Sequence, residues 1–134
     1  MHKLAGVYIN WFSWRNDDVD AFEALVGHRM SLLQWFQPWS ADVASGAYAP
    51  ALNTDALARA KARCATPFIS WPPFGTVNGV NAFQYTNIAA GHCDSYIQTW
   101  VNGLQAFGRP VYLRPFHEFN GNWFPWGIGQ NGNT

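Results

Sequence analysis

Val111-Tyr112-Leu113-Arg114-Pro115-Phe116-His117-Glu118-Phe119-Asn120-Gly121-Asn122-Trp123-Phe124-Pro125-Trp126-Gly127 begins as a strand and ends as a loop of indoles. Gly108 and Pro110 punctuate its start, and aliphatic or aromatic residues hold most positions after them. Alternation places Val111, Leu113 and Pro115 on one face and Tyr112, Arg114, Phe116 and Glu118 on the other. Charges opposite the aliphatics predict a strand that packs one face on helices and turns the other toward a cavity, with Glu118 at the rim. Glu118 is one of only two glutamates in the chain, and Phe116, Phe119, Trp123, Phe124 and Trp126 surround it in sequence. Apolar surroundings favour the protonated form of a carboxyl, which a general acid needs, whereas a guanidinium such as that of Arg114 favours the charged form. The alternative is a structural Arg114–Glu118 pair inside a core, a costly arrangement.

Two other chemistries fail on the same residues. His117-Glu118 would open the zinc motif H-E-x-x-H, but position 121 is glycine, so the second ligand is missing and no metal is expected. A nucleophilic serine on a strained turn would require G-x-S-x-G, which does not occur.

Residues 113–127 closely resemble the signature of glycoside hydrolase family 26, whose members are mostly endo-β-1,4-mannanases with some xylanases and mixed-linkage glucanases. The resemblance implies an α/β fold, a retaining (β/α)8 barrel with its acid/base glutamate after strand 4 and its nucleophile glutamate after strand 7. It makes Glu118 the acid/base, His117 the histidine beside it, and Trp123 the substrate-stacking tryptophan. Arg114, Asn120, Trp126, Trp71 and Trp11 are looser expectations for the cleft. The family resemblance implies no cofactor, a polysaccharide or oligosaccharide partner with β-mannan first, and an extracellular setting. Phe119 and Pro125 stand where the family often has Met and Trp, and Trp71-Pro72-Pro73 stands where it often has Trp-Glu-Pro.

Composition agrees with a neutral sugar-binding surface. Charged residues make up 12%, aromatics 17%, and formal net charge is zero, so there is no basic stripe for a nucleic acid. The C–H face of a pyranose packs on an aromatic plane, a use that eight tryptophans would fit; for each of them core packing is the alternative. No apolar run approaches the roughly 20 residues of a membrane span. Met1 to Gly6 has no signal-peptide character. Cys64 and Cys93 could form one disulfide or remain two buried thiols.

Taken in order, the chain predicts a strand over Gly6–Asn10, an aromatic loop from Trp11, and a helix capped by Asn16 or Asp17 and ending at Gly27. A second strand spans Ser31–Phe36, where Gln34 hints at a polar lumen; Ala41–Ala51 reads as loop or short helix. Asn53 or Thr54 caps a helix to Arg63, and Thr66–Trp71 is a third strand stopped by Pro72-Pro73. Thr76–Gly91 reads as an irregular rim loop. Cys93–Phe107 is helical, with Tyr96, Ile97, Trp100, Val101, Leu104 and Phe107 as its apolar stripe. Strands alternating with helices indicate parallel β/α units.

A complete (β/α)8 barrel takes about 250 residues. Residues 1–134 are therefore expected to be the N-terminal half of such a domain, cut after the loop of its fourth strand. Retaining hydrolysis needs two carboxyls about 5–5.5 Å apart. The second is expected beyond Thr134, which would leave this polypeptide inactive alone. Open sheet edges would expose it to self-association.

Overall fold

In the computed structural model, which describes residues 4–9, 15–39, 51–74, 76–77, 80–81 and 83–133, helices and strands alternate along most of the chain. The order is β1 (Gly6–Tyr8), α1 (Asn16–Val26), β2 (Leu32–Phe36), α2 (Thr54–Ala62), β3 (Thr66–Ser70), β4 (Thr76–Val77), β5 (Val80–Asn81), α3 (Tyr85–Ala89), α4 (Asp94–Phe107) and β6 (Tyr112–Arg114). Strands β1, β2, β3 and β6 form one sheet in that order, every pair parallel. This is the α/β arrangement that the alternation of strands and helices predicts.

Register explains which side chains face the core. Leu33 pairs with Pro67, and Trp35 with Ile69 and in turn Leu113. Leu33, Trp35, Pro67 and Ile69 are all buried. The other face carries Tyr8, Gln34, Phe68 and Tyr112 in one row and Phe36, Ser70 and Arg114 in the next. Tyr8 and Tyr112 on that face are exposed, and Gln34, Phe36 and Phe68 are half-buried. One face is thus a helix-covered core, and the other stays open to solvent.

Aromatic residues fill the core behind the third strand. Trp71 stacks on Trp100 with centroids 4.6 Å apart, Trp39 lies 4.8 Å from Trp71, and Tyr96 lies 5.3 Å from Trp39. Trp71 Nε1 donates to the Tyr96 hydroxyl at 3.2 Å, so the buried indole is not left unpaired. On α4 the predicted stripe is graded: Tyr96 and Trp100 are buried, Ile97, Leu104 and Phe107 are half-buried, and Val101 is exposed.

Several boundaries shift for local reasons. Helix α1 is capped by Arg15, whose backbone N–H donates to Asp18 Oδ2 at 3.1 Å, rather than by Asn16 or Asp17. Helix α2 is capped as expected, Asn53 Oδ1 accepting from the N–H of Ala56 at 2.9 Å. Gly27 and Gly108 end α1 and α4 in the left-handed conformation, with φ of 75° and 68°. The segment expected as an irregular rim loop contains the β4–β5 hairpin and α3. Cys64 and Cys93 are both free, and Cys64 is exposed rather than buried. Residues 41–50, read as loop or short helix, and Trp11 lie outside the described residues. Among the described residues no helix is long and apolar enough to cross a membrane.

Candidate active site

The fourth parallel strand, β6, is shorter than its alternation suggests. It ends at Arg114, and the chain then turns repeatedly. Glu118 therefore does not share a pleated face with Arg114 by strand alternation; it adopts a left-handed backbone, φ 55°. What brings it to the rim is the loop's own bonding. The N–H of Gly121 donates to the Glu118 carbonyl at 2.9 Å, and that of Ile128 to the Phe119 carbonyl at 2.9 Å. Trp126 Nε1 donates to the His117 carbonyl at 2.7 Å, and the Tyr85 hydroxyl to the Trp126 carbonyl. The residues just before α3 and in its first turn thus brace the loop.

Arg114 remains on the open sheet face. Register sets it beside Ser70, whose hydroxyl oxygen accepts from Arg114 Nη2 at 2.7 Å, from Nε at 3.2 Å and from Gln34 Nε2 at 3.2 Å. The guanidinium carbon lies 5.1 Å from the Phe68 ring centroid, a cation–π distance. The polar face expected from Gln34 and Arg114 is therefore present, and Ser70 holds the two together. Ser70 was missed in the sequence, although a serine inside the apolar run Phe68-Ile69-Ser70-Trp71 was a usable signal.

A pocket of about 360 Å³ opens where the four parallel strands end. Tyr8 comes from the end of β1, Phe36 and Pro38 from β2 and its loop, and Pro72 and Phe74 from the loop after β3. His117, Glu118, Phe124 and Trp126 complete it from the loop after β6. Carboxyl ends of parallel strands are where α/β folds place ligands. Tyr8 and Phe36 could have been found by combining alternation with position at a strand end.

His117 is buried between rings, with its centroid 4.7 Å from Phe124, 5.0 Å from Phe36 and 5.1 Å from Trp126. Desolvation pushes its imidazole below the ordinary value, the Arg114 charge adds to this, and Glu118 opposes it. Its Nδ1 has no hydrogen-bond partner among the described residues. Glu118 is exposed, and its Oε2 accepts from Trp123 Nε1 at 2.8 Å. Such a pair can offer a carboxyl to a ligand seated against aromatic walls.

The remaining expected residues separate. Trp123 is 65% exposed beside Glu118, and Asn120 is exposed on the turn between them. Trp126 is fully buried and borders the pocket from beneath, stacked on Phe124 with centroids 4.5 Å apart. Trp71, expected in the cleft wall, is only 5% exposed and packs in the aromatic core instead. Its partners Trp39, Tyr96 and Trp100 cover it from distant parts of the sequence.

Comparison with known proteins matches residues 73–133 to the family model "Glycosyl hydrolase family 26". Endoglucanase H of Acetivibrio thermocellus is 29% identical over 114 residues, covering 84% of this chain. The chain spans 11% of the length of that relative. The matched segment contains Arg114, His117, Glu118 and Trp123, the residues that carried the resemblance. Over residues 73–133, then, the chain is similar to glycosyl hydrolase family 26.

Proposed function

We propose that this chain carries the acid/base half of a retaining glycoside hydrolase that cleaves internal β-1,4-mannosidic linkages. The carrying observation is Glu118 at the rim of an aromatic pocket formed at the ends of four parallel strands. On this reading the sheet is the first half of a (β/α)8 barrel. Its parallel order, its one helix-covered face and its strand-end pocket support that assignment.

Glu118 would protonate the leaving glycosidic oxygen and then, as a carboxylate, take a proton from the water that releases the glycosyl-enzyme. His117, kept neutral, would orient the reacting groups beside it. Trp123 would stack on a pyranose, and Arg114, held by Ser70, would keep positive charge on the open face. Glu23, the other glutamate, does not line the pocket, and its oxygens accept from Arg63 and from the Met30 N–H instead. On this reading the nucleophile would be a second carboxyl from outside residues 1–134.

The purified 134-residue chain is expected to show no turnover of mannan or aryl mannosides. Turnover that disappears in Glu118→Gln would overturn the missing-nucleophile reading. The chain is expected to bind β-1,4-mannooligosaccharides, with affinity falling about tenfold or more in Trp123→Ala, since aromatic contacts of this kind contribute around 1–3 kcal/mol. A second reading, a β-glucan substrate, is favoured by the name of the endoglucanase relative. Tighter binding of cello-oligosaccharides than of mannooligosaccharides would select it. Binding retained in a longer polypeptide that never turns over either glycan would instead mark a non-catalytic carbohydrate-binding domain.

A further inference from the structure

We infer that Trp123 is a positioning residue for the Glu118 carboxyl, and that one indole sets both the proton donor and the place of the sugar ring. This rests on the proton-donor reading of Glu118. The indole N–H donates to Glu118 Oε2 at 2.8 Å. A hydrogen bond to a carboxylate is among the stronger ones, and it occupies one of the two oxygens. Oε1 is then the oxygen that gives its proton to the glycosidic oxygen and later receives one from water.

The indole is held in place from the other side by an absent side chain. A Cβ on Gly121 would lie 2.5 Å from Trp123 Cζ2 and 2.6 Å from Cε2. The ring edge thus rests directly on the Gly121 Cα, and no other residue type leaves it there. Gly127 repeats the arrangement one layer below, because a Cβ there would collide with the Gly121 carbonyl oxygen. The Gly121 N–H in turn closes onto the Glu118 carbonyl at 2.9 Å. The turn that begins at the carboxyl-bearing residue therefore brings Trp123 back onto it.

The consequence for chemistry is registration. Trp123 is largely exposed, so its plane can take the C–H face of a pyranose while its N–H holds the carboxyl. A ring stacked there meets a proton donor whose torsion is set by the same rigid group. Misplacement of reacting groups by about 1 Å costs on the order of a hundredfold in rate, so this coupling favours reaction over mere binding.

The test uses ¹H–¹⁵N spectra of the 134-residue chain as native protein and as Trp123→Phe, Glu118→Ala and Gly121→Ala. Loss of one indole cross-peak in Trp123→Phe identifies the Trp123 signal. In Glu118→Ala and Gly121→Ala that signal should move upfield and exchange with solvent about tenfold faster, as loss of a charge-assisted hydrogen bond requires. The backbone amide spectrum reports whether each variant is folded. If Gly121→Ala does not fold, Glu118→Ala alone carries the comparison. A Trp123 signal that keeps its position and exchange rate in folded Glu118→Ala overturns the inference. Glycan turnover and binding do not enter this readout, so failure of the hydrolase reading and failure of the Trp123–Glu118 contact are seen separately.

Discussion

Burial among Phe36, Phe124 and Trp126 makes the His117 imidazole reluctant to take a proton, and the guanidinium of Arg114 adds to that reluctance. The unfolded chain has an ordinary imidazole, near 6.5. Below that pH the unfolded state binds a proton that the folded state resists, so stability is full above about 6.5 and declines on acidification. Urea midpoints from pH 8 to pH 5 should fall for the native chain and fall less for His117→Gln; equal slopes would remove this account. Tyr96 shows the opposite kind of burial. Its hydroxyl is pushed up to about 12 by desolvation, with hydrogen bonding from Trp71 and Trp100 pulling it back. Tyr96→Phe would leave the buried Trp71 N–H without its acceptor and should cost about 1–3 kcal/mol in chemical denaturation. A cost below about 0.5 kcal/mol would mean that another group accepts the N–H.

Among the elements, α4 shows why some of the chain was readable. Tyr96 and Trp100 recur at helical spacing, so the sequence alone identified the face that packs. Trp100→Ala should destabilise by about 3–5 kcal/mol, whereas Val101→Ala on the exposed side should change stability by no more than about 0.5 kcal/mol. Comparable losses at both positions in thermal or urea unfolding would contradict the assigned face. The strand faces were readable in the same way, since Leu33, Trp35 and Ile69 alternate with Gln34, Phe36 and Ser70. The end of β6 was not. Pro115 and the left-handed Glu118 follow from bonds made by Trp126 and Gly121 further along the loop, and no period in residues 111–118 encodes them. Trp71 was misread for a related reason. Its strand-end position resembles that of a cleft residue, while the residues that bury it lie 25 to 32 positions away, in both directions. The β4–β5 hairpin and α3 are too short to leave a periodic signal.

At the scale of the molecule, the sheet is finished on one side only. Strands β1 and β6 are its edges, and Tyr8 and Tyr112 stand exposed on the face away from the helices. Unpaired edges beside exposed aromatics favour pairing with another chain. Sedimentation velocity of the 134-residue chain should therefore show association that grows with concentration, and a compact monomer at every concentration would oppose this. The pocket also has a thermodynamic corollary. Its walls arrive from the ends of four strands that are distant in sequence, so no excised peptide can retain it. If the pocket takes the oligosaccharide proposed for it, melting curves followed by oligosaccharide fluorescence titration and by far-ultraviolet dichroism should superimpose, making occupancy a gauge of whether the whole sheet is assembled.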